Sequence, residues 1–152
     1  MTSPVALIGL TYRGTDVQAF PPGVFLELDP AAIYGRLEVD GADQPLLSGG
    51  VFPRNRVARR RLLPVSGLVS CDPSLTSLAD QRESLVDNLQ IVEALFDVTE
   101  HGDLVATLAD ATTRTIDARP QGSVLVTMES DLVAVVSVTL QSYSTPDWTI
   151  GP

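Results

Sequence analysis

A single stripe of helical period is set in a chain that otherwise alternates like strands. Leu75, Leu78, Leu85, Leu89, Val92 and Phe96 recur at spacings of three, four and seven, the spacing of one helix face. Val86, Ile91 and Leu95 widen that face, while Asp80, Glu83, Asp87 and Asn88 fall largely on the other side. Two starts fit: Asp72 as cap with Pro73 in the first turn, or Ser77 as cap after a short turn. His101-Gly102 reads as the stop, a histidine at the negative end of the helix dipole followed by a C′ glycine. A helix of about 22 residues is roughly 33 Å long, enough to cross a sheet and cover one face.

The segments after this helix alternate. Leu104 to Leu108, Thr113 to Arg119, Ser123 to Met128 and Leu132 to Tyr143 read as strands joined by short turns, hence as antiparallel neighbours. The last is apolar at every position from Leu132 to Val136, which predicts a central strand covered on both sides. Leu62 to Ser70 precedes the helix as a further strand. The first half is less regular. Val5 to Leu10 and Val24 to Leu28 are strands, and Phe20-Pro21-Pro22-Gly23 is a loop. Tyr34 to Val39 and Gln44 to Leu47 flank Asp40-Gly41-Ala42-Asp43, which has hairpin-turn chemistry. Ser48-Gly49-Gly50 and Pro53 mark a flexible loop. The fold class read from these segments is mainly β (α+β), with antiparallel strands and one packed amphipathic helix. The 152 residues make one domain, with irregular strands and loops over 1–53 and a strand-helix-strands core over 54–148.

Aromatic residues are only 5% of the chain against 44% hydrophobic residues overall, so the core is aliphatic. Cys71 stands alone, which rules out an intrachain disulfide. Met1 to Leu10 lacks the basic region of a signal peptide. The longest uncharged apolar run, Leu132 to Leu140, falls well short of the roughly 20 residues that span a bilayer. Folding in the cytosol without membrane insertion is the expectation.

No residue pattern points to catalysis, a metal or a cofactor. His101 is the sole imidazole, and nothing resembling a nucleophile elbow accompanies it. Cys71 has no second cysteine with which to hold zinc and reads as a small core residue at a strand end. Counted from Asp40, the twelfth position of a would-be calcium loop is Val51 and not Glu. Gly49-Gly50 lacks the Lys and Ser/Thr of a phosphate-binding loop.

The charge distribution does carry a signal. All ten basic residues are Arg, in a chain of net charge −9. Five of them, Arg54, Arg56, Arg59, Arg60 and Arg61, fall within eight positions. Three readings fit: nucleic-acid contact, a solvated strand edge, or an intersubunit contact in which Arg forks meet carboxylates of a neighbouring copy. The overall negative charge and the lack of interleaved aromatics weigh against nucleic acid. Arg54 and Arg56, then Arg59 and Arg61, alternate and are expected to project from one face of an extended segment. These four are the interface candidates.

The order of elements from Arg59 to Trp148 resembles the N-terminal domain of phage distal tail proteins, a family that includes minor tail proteins of actinobacterial phages. The resemblance lies in an Arg-rich approach (Arg59-Arg60-Arg61) to an apolar strand with Gly67, then the small-polar linker Ser70 to Ser74 and one amphipathic helix. It continues through Gly102-Asp103-Leu104-Val105-Ala106-Thr107-Leu108, the Arg-bearing strand Arg114 to Arg119, and a closing strand running into Thr145-Pro146-Asp147-Trp148. The tail reads Pro-Asp-Trp where the family has Asp-Pro-aromatic, and the expectation is a subunit without the carbohydrate-binding or galectin-like extensions of larger relatives. The resemblance implies an antiparallel β-sandwich or split barrel with one flanking amphipathic α-helix, and a hexameric ring at the distal end of a long non-contractile tail. That ring joins the tail tube to the tail-tip hub and surrounds the end of the tape measure protein. It also implies location in the virion tail after assembly in the host cytoplasm, with DNA only in transit through the channel. A tail tube or tail-terminator subunit is the neighbouring reading on the same fold. A small binding module or an enzyme is the reading from a different class.

Overall fold

The computed structural model describes residues 7–34, 37–45 and 51–152, with side chains described at 7–30, 32–33 and 60–152. Within them the chain forms β1 (Leu7–Tyr12), β2 (Thr15–Asp16), β3 (Val24–Leu28), α1 (Ala31–Tyr34), β4 (Leu37–Pro45), β5 (Val51–Ser70), α2 (Leu78–Leu95), β6 (Gly102–Leu108), β7 (Thr113–Pro120), β8 (Leu125–Met128), β9 (Val133–Ser142) and β10 (Thr149–Gly151). This is the expected mainly-β fold with one substantial helix. All its strand pairs are antiparallel, as the short turns require. One curled sheet runs β2-β1-β6-β7-β9-β5-β3, with β10 on β7, β4 on β5 and β8 on β9.

The central ladder is β5 against β9, in unbroken register from Leu62↔Gln141 to Ser70↔Val133. Its concave face buries Leu63, Val65 and Val69 across from Leu140, Val138 and Ala134. The expected cover on both sides of β9 is not found. Alternate residues Val133, Val135 and Ser137 are only half-buried, because α2 packs against the concave face alone. Gly67 lies where β3 crosses close to β5: a Cβ there would sit 2.1 Å from the Phe25 carbonyl oxygen, so only glycine lets β3 approach.

The helix is shorter than its pattern predicts. It covers 18 residues, starts after Ser77 and ends at Leu95 with Phe96 as C-cap. It does not reach His101. The Asp97 carboxylate accepts hydrogen bonds from the backbone N–H and hydroxyl of Thr99, and this tight turn takes the chain out of the helix. The buried stripe is also narrower, consisting of Leu85, Asn88 and Val92 within the helix and Phe96 after it, while Leu78, Val86 and Ile91 are exposed.

Asn88 is therefore on the opposite side from that expected. Its amide donates to the Pro22 carbonyl at 2.9 Å and to the Ser70 carbonyl at 2.8 Å, which is how a polar residue is tolerated on the apolar stripe. At the helix end, the Phe96 ring stacks on Tyr12 with centroids 5.2 Å apart.

The Asp40–Asp43 hairpin turn is not formed. Those residues lie inside β4, where Ala42 and Asp43 face Arg54 and Pro53 of β5. Of the expected flexible loop, Ser48-Gly49-Gly50 lies outside the described residues and Pro53 is within β5.

Two substitutions separate core from surface on this helix. Leu85→Ala is expected to cost about 2–5 kcal/mol in urea unfolding, whereas Val86→Ala stays within about 0.5 kcal/mol. Asn88→Ala removes the donor to two part-buried carbonyls and is expected to cost about 1–3 kcal/mol in the same measurement.

Candidate functional site

The arginine cluster lies on β5, a strand of 20 residues. At about 3.3 Å per residue it extends roughly 66 Å. Only Leu62 to Ser70 lies against β9. Among the described residues, Val51 to Arg61 pairs with β4 alone, so the strand continues from the body into a two-stranded arm. Arg54, Arg56 and Arg59 are on the arm, and their side chains lie outside the described residues. The ladder slips twice, between Glu38 and Val39 and between Asp40 and Ala42. Each slip adds one residue on the β5 side, so the simple alternation from 54 to 61 does not persist along the arm.

The two arginines at the root are described, and they differ. Arg60 is half-buried and donates to the Gln141 side-chain oxygen. Arg61 is buried at 8% exposure and is committed within the subunit. Its Nε donates to the Pro146 carbonyl at 2.8 Å, and its Nη1 to the Ala32 carbonyl at 3.2 Å. Its backbone N–H donates to the Ser142 hydroxyl. The Trp148 indole N–H reaches the same Ala32 carbonyl at 3.1 Å. Burial lowers the Arg61 pKa, and the charge of Asp147 works against that shift. Arg61 thus fastens α1 and the Pro146-Asp147-Trp148 tail to the base of the arm. Arg61 is an interface candidate whose guanidinium faces inward, onto its own subunit.

A second polar cluster lies on the outer side of β7. His101 Nδ1 is 2.9 Å from an Asp117 carboxylate oxygen, and the imidazole stacks on Tyr143 with centroids 4.0 Å apart. The Arg119 guanidinium lies over the Tyr143 ring at 5.6 Å. His101 is therefore a strand-entry residue held by the sheet and not a helix terminus. Cys71 lies just past the end of β5 and is half-exposed, not a core residue. Among the described residues no three His, Cys, Asp or Glu side chains converge as a metal site.

Inside the fold, the Tyr12 hydroxyl donates to the Ala118 carbonyl at 3.2 Å and its pKa is pushed up to about 12, chiefly by burial.

No protein-family model and no curated protein matches this sequence. Solved structures do match. The Dit protein of SPP1, described as a paradigm of the hub adsorption apparatus in phages infecting Gram-positive hosts, superposes with a TM-score of 0.65 at 15% identity. The match covers 95% of this chain and 52% of that one, so the chain spans about half the length of that protein. The sheath/tube terminator of the PVC extracellular contractile injection system aligns with a TM-score of 0.49 at 16% identity, over 100% of this chain and 98% of that one. The tube-terminating cap of the anti-feeding prophage aligns with a TM-score of 0.45 at 16% identity, over 99% and 92%. The chain has the fold seen in the SPP1 Dit protein.

Tyr12 gives a pH signature for this fold. A phenol whose pKa is raised by folding contributes stability that is complete below pH about 10 and is lost as pH rises towards about 12. Chemical unfolding between pH 9 and about 12 is expected to show this loss in the native chain and a smaller one in Tyr12→Phe.

Proposed function

We propose that this chain is a structural subunit of a long non-contractile phage tail. It forms a ring at the distal tail end that joins the tail tube to the tail-tip hub. The observation that carries the reading is the fold shared with the SPP1 Dit protein over 95% of the chain. The converging residues Arg61, Pro146 and Trp148 add support, because the segments that carry the sequence resemblance meet at one place.

In this reading the work is done by geometry, without catalysis or a cofactor. Copies associate as a homohexamer around a channel. The ring meets the tube protein on one side and the hub on the other, and encloses the end of the tape measure protein. DNA passes through without being held, because a wall of net negative charge repels phosphate. The ring is a virion component put together in the host cytoplasm. Arg54, Arg56 and Arg59 sit on an arm that pairs with a single neighbouring strand, and there they fork onto carboxylates of the adjacent copy.

Native mass spectrometry and negative-stain imaging of the purified chain test the reading. Discrete six-fold rings support it. Long cylinders show a tube subunit instead, and a monomer at all concentrations removes the ring. The arginines then divide into two groups. Replacing Arg54, Arg56 and Arg59 together by Ala is expected to weaken assembly with the subunit still folded by circular dichroism. Arg61→Ala removes the Arg61 donor from the Pro146 carbonyl and leaves the Ala32 carbonyl with Trp148 alone, and is expected to cost about 1–3 kcal/mol of subunit stability.

A further inference from the structure

Strand β8 is anomalous. All four of its residues, Leu125, Val126, Thr127 and Met128, are exposed, at 69% for Leu125, 38% for Val126 and 52% for Met128. Among the described residues it pairs with β9 alone, so its other edge presents backbone N–H and C=O groups with no strand beside them. Proteins that live as monomers blunt such edges with lysine, proline or a bulge. β8 has none of these, and its register against β9 runs without a slip from Leu125↔Ser137 to Met128↔Ala134.

The apolar surface does not stop at β8. The register aligns Thr127, Val135, Leu68 and Phe25 in one row across β8, β9, β5 and β3. This row lies on the convex face, away from α2, with Leu68 51% and Phe25 48% exposed. Neither the row nor β8 contains a charged side chain. In a chain of net charge −9 this matters for self-association. Two copies repel wherever their carboxylates face one another, and they approach most cheaply where carboxylates are few, here Glu27 in the row of Leu125 and Glu129 just after β8.

We infer that the free edge of β8, with the apolar row beside it, is the surface on which a second copy of this chain docks by adding a strand. This rests on the proposed ring reading and deepens it by naming the contact surface. Backbone hydrogen bonds from the incoming strand satisfy the open edge; burial of Leu125, Leu68 and Phe25 on the convex face and of Val126 and Met128 on the opposite face of β8 supplies the apolar driving force. A ring requires β8 to meet a different surface on its neighbour, because β8 against β8 closes into a dimer.

The test uses the full chain and the double variant L125K/M128K. Both positions are exposed, so the variant is expected to keep the native circular dichroism spectrum and melting temperature. Native mass spectrometry across a concentration series is expected to show at least tenfold weaker assembly for the variant. Ile8→Lys, at a residue 59% exposed on β1, is the control and should assemble like the native chain. Amide hydrogen exchange at residues 125–128 should slow on assembly of the native chain. If the native chain assembles and L125K/M128K assembles equally well, or if residues 125–128 exchange equally fast in both states, the inference is overturned while the ring stands. If the native chain remains monomeric throughout, the ring and this contact fall together.

Discussion

The architecture depends on one continuous strand. β5 is built into the body through nine paired residues against β9 and five against β3, then runs on into the two-stranded arm. A strand in register cannot shift by one residue without turning every core side chain outward. Leu63, Val65 and Val69 therefore fix the position of the arm as firmly as they fix the core. The Arg61 side chain reinforces that junction. It lies where the body ends and the arm begins, and it holds α1 and the C-terminal tail to the same point.

Where burial is periodic, the sequence was legible. Val24–Leu28 occurs as read, and the strands after the helix appear in the expected order with ends moved by a residue or two. The misreadings share a cause, which is local chemistry that fits two outcomes. Asp-Gly favours a tight turn, but inside a long hairpin with two register slips it is accommodated within the strand. His-Gly suggests a helix end, but an Asp-x-Thr turn acts first and releases the helix at Phe96. Arg60 and Arg61 are neighbours of one residue type in one run, and nothing in the run shows which guanidinium turns inward. Only their partners do: Gln141 for one, and Ala32 and Pro146 for the other, all distant in sequence.

The same limit applies to the candidate surfaces. An arginine-rich run was visible as charge, but that Arg61 within it is a structural clasp depends on tertiary context. The bare edge of β8 was not visible at all. Leu125, Val126 and Met128 have the composition of a buried strand, and it takes the sheet order to show that no strand lies beyond them among the described residues. A surface of this kind fits a component whose final environment includes other subunits.

One carboxamide has a consequence for how the molecule comes apart. Asn88 holds the Pro22 loop and the end of β5 through the same pair of amide protons. The helix cannot peel away without releasing both, and neither can loosen without exposing the polar groups of the others to an apolar surface. Helix, loop and strand end are bound into a single cooperative unit. Partial opening on that side of the molecule is suppressed, and motion is left to segments outside its reach.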